Sequence, residues 1–135
     1  MKTDRLQKIV EEQYKFTKGY QDPSLLTEQQ KLLLAREYLL CAYEELSELG
    51  LAVKNHTLGA RRVENKDVTF KINENVDQRK QIQEEIVDVF KYILNIGFCY
   101  GLDDKILYQQ FRKKSKINRV RRKEANKFKE KFKQE

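Results

Sequence analysis

The chain has 135 residues, of which 39% are hydrophobic and 36% are charged, with one proline, five glycines and no tryptophan. This composition favours a single, mostly helical domain, and no apolar run reaches the roughly 18 residues of a membrane span. The first residues lack the apolar core of a signal peptide. Cys41 and Cys99 are isolated among apolar residues, so we expect a cytoplasmic protein with reduced cysteines.

Helical periodicity predicts two helices in the first part of the chain. The first follows Asp4 and stops near Gly19. The second covers residues 28–54, and Thr27 with Gln30 fits a capping box at its start. We expect a loop between them.

The same periodicity predicts two further helices after a polar connection. Residues 68–72 alternate in polarity, which is compatible with a short strand, but a single strand has no partner, so we treat them as part of a long loop. Asp77 is a candidate cap for a third helix over residues 78–100, and Gly101 ends it. Asp103 opens a fourth. The predicted fold class is all-α.

The net charge of +7 is concentrated at the C-terminus, where residues 112–135 carry a net +9. A basic block of this kind attracts phosphates or remains solvated. We therefore divide the chain into a domain over residues 1–122 and a basic helical tail over residues 123–135.

Two acidic pairs stand within apolar stretches of the two central helices. Glu45 and Glu48 form one pair, and Glu85 and Asp88 form the other. Residues three apart share a helix face, and apart from Lys91 these acids have few cations at helical spacing. Four uncompensated carboxylates are costly to pack together unless a hard cation such as Mg²⁺ or Mn²⁺ binds them. The alternative is that each pair is only the polar edge of an amphipathic helix.

Several cationic and amide side chains are candidates for phosphate binding. Arg36 precedes the first acidic pair on the same helix, and Lys114, Asn118 and Arg121 share one side of the fourth helix. Such groups can hold a polyphosphate. A solvated surface is the alternative for all of them.

The ordered set of motifs resembles a family. "EELSE" followed by "EEIVD" resembles the E-E-x-x-E … E-x-x-D signature of the all-α nucleoside triphosphate pyrophosphohydrolases, which include the MazG-like enzymes, the dimeric dUTPases and the dCTP pyrophosphatases. "KSKINRVR" is similar to the K-x-x-x-N-R-x-R element of the same group. The resemblance covers residues 32–122.

The resemblance implies a MazG-type, four-helix-bundle-like fold, assembled as a homodimer or homotetramer. It implies Mg²⁺-dependent cleavage of a nucleoside triphosphate to the monophosphate and pyrophosphate, with Glu45 or Glu48 as the general base. The long connection between the acidic pairs leans towards dUTP or a related pyrimidine deoxynucleotide. The implied metal ligands are Glu45, Glu48, Glu85 and Asp88, and the implied substrate contacts are Arg36, Tyr92, Lys114, Asn118 and Arg121.

Two other classes of function remain open. The basic tail, with interleaved phenylalanines, is compatible with a nucleic-acid-binding module, although no zinc, RRM or KH signature is present. A non-catalytic helical interaction protein is the other, but it leaves the uncompensated acids unexplained. Because the two central helices bury too little surface alone, we expect an oligomer, with a dimer favoured, and the candidates for its shared core are Tyr38, Leu39, Ile93 and Ile96.

Overall fold

A computed structural model describes residues 4–56 and 76–133, without the side chains of Val76, Asp77 and Phe132. This part of the chain is helical and contains no strand, which confirms the all-α prediction. The predicted alternating segment 68–72 lies outside the described residues. The elements are α1 (Arg5–Tyr20), a 3₁₀ turn (Pro23–Leu25), α2 (Glu28–His56), α3 (Val76–Cys99) and α4 (Asp104–Phe132).

The starts of the first two long helices are fixed by side-chain caps. The Asp4 carboxylate accepts a hydrogen bond from the backbone N–H of Leu6 at 3.0 Å. Thr27 and Gln30 form the predicted capping box: the Thr27 hydroxyl accepts from the Gln30 N–H at 3.2 Å, and the Gln30 side chain accepts from the Thr27 N–H at 2.9 Å. Each bond satisfies an N–H group that has no partner within the helix.

The chain reverses between α3 and α4 at Gly101, whose φ of 73° lies in the left-handed region that glycine tolerates. The Leu102 N–H donates to the Gly97 carbonyl at 2.9 Å. A Cβ at Gly97 would come within 2.5 Å of the Leu102 side chain, so this turn needs both glycines. Asp103 then caps α4 by accepting from the Ile106 N–H at 2.7 Å.

Several predicted helix boundaries differ from the structure by one or two residues, including the end of α2 at His56 and the end of α3 at Cys99. Helix α1 continues through Gly19 to Tyr20, because one glycine near a helix end costs only about 1 kcal/mol. Asp77 is not the cap of α3, since the helix already includes Val76.

Helices α2 and α3 pack antiparallel and form the largest contact between elements in the described residues. Near the start of α2, Leu34 and Ala35 are buried against Cys99 at the end of α3. One turn further on, the rings of Tyr38 and Tyr92 lie 6.3 Å apart. Burial of these apolar surfaces stabilises the hairpin.

Helix α1 is held against the C-terminal half of α3 by a buried polar group inside an apolar contact. The side-chain oxygen of Asn95 accepts hydrogen bonds from the Gln13 amide at 2.9 Å and from the Thr17 hydroxyl at 2.6 Å. All three residues are buried, so the bonds satisfy groups that water does not reach. The surrounding apolar cluster contains Val10, Leu94 and Phe98, with Leu6, Tyr14 and Leu107 packed against it.

Helix α4 is joined to the rest of the fold mainly at its start, where Leu107 packs against the α1–α3 cluster. From Tyr108 onwards its described side chains are exposed except for the half-buried Ser115. The helix runs without a break across residue 122, where the sequence suggested a boundary between domain and tail. None of the helices in the described ranges is both long and apolar enough to span a membrane.

The buried Asn95 network predicts a large mutational effect on stability. Asn95→Ala removes the acceptor shared by two buried donors, and we expect a loss of about 2 kcal/mol in the free energy of unfolding. Asn118→Ala is the matched control, because Asn118 is exposed on α4, and it should change stability by less than about 0.5 kcal/mol. Denaturant titration measures both. Equal effects of the two substitutions would contradict the structural role of Asn95.

Candidate metal centre and adjoining cavity

Three of the four predicted acids meet at the α2–α3 contact. Carboxylate oxygens of Glu45, Glu48 and Glu85 all lie within 4.8 Å of one another. Their meeting follows from the fold, because antiparallel packing brings the middle of α2 opposite the first half of α3, and the i, i+3 spacing keeps Glu45 and Glu48 on neighbouring positions. Glu45 and Glu85 are half-buried and Glu48 is exposed.

The fourth acid, Asp88, borders this cluster without belonging to its tight group. Its carboxylate lies 3.8 Å from the ammonium of Lys91, one turn further along α3. Both side chains are about half exposed, so this ion pair is weak. Asp88 nevertheless acts electrostatically on both Glu45 and Glu85.

The cluster carries an unbalanced negative charge. Desolvation is the largest cause of the raised pKa of Glu45, and the like charges of Glu48, Asp88 and Glu85 add to it. Desolvation followed by the charges of Glu48 and Asp88 also raises the pKa of Glu85. Burial and like charges both disfavour the ionised form of a carboxyl group. A bound cation would reverse both effects.

One carboxylate oxygen at the site is buried and has no hydrogen-bond partner. This atom is Oε2 of Glu85, which no donor reaches within the described part of the chain. Buried polar atoms are normally paired, and an exception calls for a ligand or another physical reason. Hard oxygen donors in a group of this kind suit Mg²⁺ or Mn²⁺. The residues present therefore fit a divalent cation.

A cavity of about 400 Å³ lies between α1 and the α2–α3 pair, and none of the four acids lines it. Tyr92 connects the two features, since its ring lines the cavity and its hydroxyl feels the charges of Glu45 and Asp88. Burial is the main cause of the raised pKa of this hydroxyl, which also interacts with the thiol of Cys41. The residues that line the cavity are Phe16, Thr17, Tyr20, Tyr38, Tyr92 and Asn95.

No motif in the sequence predicted the contribution of α1 to this cavity. Phe16 and Tyr20 are exposed aromatic residues on a helix that carries no recognised motif. The centroids of their rings lie 5.2 Å apart. Only the packing of α1 across α3 brings them opposite Tyr38 and Tyr92. Their four-residue spacing was the one available signal, because it places both rings on one side of α1.

The other predicted substrate contacts, which are Arg36 and three residues of α4, do not join the acidic cluster in the structure of a single chain. Arg36 is nine residues before Glu45, which is two and a half helical turns, so the two side chains leave α2 on opposite sides. Lys114, Asn118 and Arg121 share one exposed side of α4. Within the described residues, no ion pair connects them to the acidic cluster.

Comparison of the chain with protein-family models, with curated proteins and with solved structures finds no match. The functional assignment therefore depends on the residues and their geometry.

The raised pKa of Glu45 predicts a pH-dependent effect of its removal. A folded-state pKa above the unfolded value means that the native protein binds this proton more tightly, so deprotonation of Glu45 destabilises the fold. Metal-free Glu45→Gln should melt at a higher temperature than the wild type above the folded-state pKa. The difference should vanish as the pH falls below about 4.3, the ordinary glutamate value.

The control for this measurement is Glu37→Gln, which neutralises an exposed glutamate on the same helix. Its melting temperature should follow that of the wild type at every pH. Two results would contradict the electrostatic account of the cluster. One is a Glu45→Gln variant that is less stable than the wild type at pH 8, and the other is a gain in melting temperature over the wild type that grows as the pH falls.

Proposed function

We propose that this protein is a Mg²⁺-dependent nucleoside triphosphate pyrophosphohydrolase with a MazG-type helical fold. The observation that carries the proposal is the convergence of Glu45, Glu48 and Glu85 beside an aromatic cavity. A cation site next to a space for a planar ring suits a nucleotide, whose phosphates and base need different surroundings. The expected products are the nucleoside monophosphate and pyrophosphate.

Glu45, Glu48 and Glu85 would hold the cation, with Asp88 at its edge. A bound divalent cation neutralises phosphate charge and lowers the pKa of a water ligand. Mn²⁺ is a reasonable substitute for Mg²⁺ because both prefer carboxylate oxygens. The unpartnered Glu85 oxygen supports this assignment.

In the proposed reaction, a water oxygen forms a bond to the α-phosphorus while the bond from that phosphorus to the bridging oxygen breaks. Pyrophosphate leaves with the bonding electrons, and Glu45 or Glu48 accepts the proton of the attacking water. Both carboxylates belong to the acidic cluster and can accept a hydrogen bond from this water.

The aromatic cavity is the proposed place for the base. Tyr38 and Tyr92 line it from α2 and α3, and Phe16 and Tyr20 line it from α1. Tyrosine and phenylalanine can therefore provide the stacking surface in a chain without tryptophan. The proposed substrate is dUTP or a related pyrimidine deoxynucleotide.

Lys114, Asn118 and Arg121 remain proposed phosphate or sugar contacts. Their chemistry suits a polyphosphate, but α4 holds them on an exposed surface within one chain.

A second candidate function is nucleic-acid binding, which is favoured by a row of cations on α4. Five exposed cations fall within about 80° on one side of α4, namely Arg112, Lys116, Arg119, Lys123 and Lys127.

Metal binding should stabilise the protein. By mass action, a cation at one hundred times its dissociation constant adds about 2.7 kcal/mol to the free energy of unfolding. We expect Mg²⁺ or Mn²⁺ at millimolar concentration to raise the melting temperature, and a non-hydrolysable triphosphate to raise it further. Glu85→Gln should lose most of this gain.

Glu84→Gln is the matched control for the metal measurement, because it makes the same chemical change at the exposed neighbouring position. It should retain the stabilisation by metal. The basis for a carboxylate metal site would be removed if neither cation changed the melting temperature of the wild type, with or without the triphosphate analogue.

Catalysis should depend on the exposed member of the cluster. Glu48→Ala removes a metal ligand and a candidate base, so we expect kcat/KM to fall by at least about 100-fold while the protein stays folded. Ser47→Ala, at the exposed preceding position, is the control and should retain activity. The assay measures phosphate after addition of inorganic pyrophosphatase, with dUTP, dCTP, dTTP and the purine triphosphates.

The outcomes of this assay separate the candidate functions. A tenfold preference for purines would overturn the pyrimidine expectation and leave pyrophosphohydrolysis intact. Release of a diphosphate and orthophosphate would overturn both. Inactivity on every triphosphate, together with binding of an oligonucleotide, would favour the nucleic-acid interpretation.

A further inference from the structure

Helix α4 carries a row of cations that no contact within the described residues neutralises. The members of the row are separated by four, three, four and four residues, and they are Arg112, Lys116, Arg119, Lys123 and Lys127. Residues at these separations follow one side of a helix, and all five side chains are exposed. None of them forms an ion pair with an acid in the described part of the chain. We call this surface the α4 cation row.

The charges of the α4 cation row repel one another. No acidic residue occupies positions 105–123, and neither Arg112 nor Lys116, Arg119 or Lys123 has an acid three or four residues away. Like charges at these separations destabilise a helix. A negatively charged partner that lies along the row would remove this repulsion.

The row lies on the side of α4 that points away from the rest of the fold. Leu107 packs against the cluster between α1 and α3 and therefore marks the inner side of the helix. At 100° per residue, the centre of the row lies about 160° around the helix from Leu107. A large partner can therefore reach the row without displacing α1 or α3.

The row is also separate from the α4 residues that we propose as contacts for a nucleoside triphosphate. Lys114, Asn118 and Arg121 lie about 170° around the helix from the centre of the row. The two sets of side chains therefore occupy opposite sides of α4. A single nucleoside triphosphate does not span both sides of one helix, so the row points to a different ligand.

The first part of the row borders a shallow groove of about 590 Å³ on the surface of α4. The groove combines an aromatic ring, an amide and cations, and its lining residues are Tyr108, Gln109, Arg112, Lys113, Lys116 and Ile117. Tyr108 is 57% exposed, and it lies four residues before Arg112 on the same side of the helix. A base can stack on an exposed aromatic ring while nearby cations bind phosphates. The groove therefore suits a nucleotide unit.

The length of the row suits a polymer of such units. Between Arg112 and Lys127 the helix rises by about 22 Å, at 1.5 Å per residue. Proteins that bind single-stranded nucleic acid combine a positively charged track for the backbone with aromatic side chains for the bases. The α4 cation row and Tyr108 supply both parts on one helix.

We propose that the α4 cation row and Tyr108 bind single-stranded nucleic acid, with phosphates along the row and one base stacked on Tyr108. The strand must be single because the bases of a duplex already stack on one another. RNA and DNA share this chemistry. The inference extends the second candidate function by naming the ligand and its surface, and it does not depend on hydrolysis at the acidic cluster.

Fluorescence anisotropy with the full chain and a labelled single strand of about 12 nucleotides, within the usual range of site sizes, tests the proposal. Five phosphate contacts predict a slope of about −3.5 for the logarithm of the association constant against the logarithm of the salt concentration. The double substitution Arg112→Gln with Lys116→Gln should reduce the slope to about −2.1 and weaken binding by at least about 10-fold at 0.1 M salt.

The matched control is Lys114→Gln with Arg121→Gln. It also removes one lysine and one arginine from exposed positions of α4, but on the side opposite the row. Its affinity for the strand and its salt slope should follow those of the wild type. Equal melting temperatures of the two double variants would show that both remain folded.

The stacking contact has a separate test. Tyr108→Ala should weaken binding of the single strand by about 10-fold. Phe111→Ala is the control, because Phe111 is also exposed on α4, at 68%, and does not line the groove. This variant should keep the affinity of the wild type. A duplex of the same sequence should bind the wild type more weakly than the single strand does.

Two further measurements assign the ligand and separate this proposal from the catalytic one. Strands of ribonucleotides and of deoxyribonucleotides with one sequence show which nucleic acid binds more tightly, and tight binding of either supports the proposal. The variant Arg112→Gln with Lys116→Gln should hydrolyse triphosphates as the wild type does. A wild type that binds the strand but hydrolyses no triphosphate would contradict the catalytic proposal alone, and the reverse result would contradict this one alone.

Three results would overturn the proposal. The first is no binding of either strand, including the case in which the protein binds only anionic lipid vesicles. The second is an equal loss of affinity in the two double variants, which would mean that only the total charge matters. The third is a duplex that binds as tightly as the single strand, with no effect of Tyr108→Ala.

Discussion

The antiparallel packing of α2 against α3 is the contact on which the candidate site depends. It places the middle of α2 opposite the first half of α3, so that carboxylates about 40 residues apart in the chain come within 4.8 Å. It also fixes which side of each helix remains open. With parallel helices, the exposed Leu39 and Ile93 would lie on opposite sides of the pair.

This packing combines a stabilising contact with a destabilising one. The apolar pairs near Tyr38 and Cys99 bury surface and hold the helices together. A few turns away, Glu45 and Glu85 bring like charges into partly desolvated positions. Such a conflict between stability and local charge is typical of functional sites, where a ligand supplies the missing interaction. Within the described part of the chain, Oε2 of Glu85 is buried at this position without a hydrogen-bond partner.

The two sides of the hairpin suit different roles. One side combines acids, the aromatic cavity and α1, and the buried Asn95 network keeps α1 in place there. The other side is apolar and uncharged at its centre. The described residues of the chain therefore cover mainly one side of these two helices.

Local features were predictable from the sequence because each depends on residues a few positions apart. The Thr27–Gln30 capping box, the reversal at Gly101 and the Asp103 cap all use neighbouring backbone groups. The pairing of Glu45 with Glu48 on one helix followed from helical periodicity, and the lack of nearby cations was visible in the sequence. The ends of the helices were less predictable, because a glycine or a cap residue shifts a helix end by a small free energy.

Only the tertiary structure decided which distant residues meet. The sequence alone determined the helices, their caps and the acidic pairs, since these depend on local geometry. The approach of Glu85 to Glu45, the separation of Asp88 towards Lys91 and the contribution of Phe16 to the cavity depend on how whole helices pack. Helix packing is set by the sum of many apolar contacts over long sequence separations, and no single motif encodes that sum.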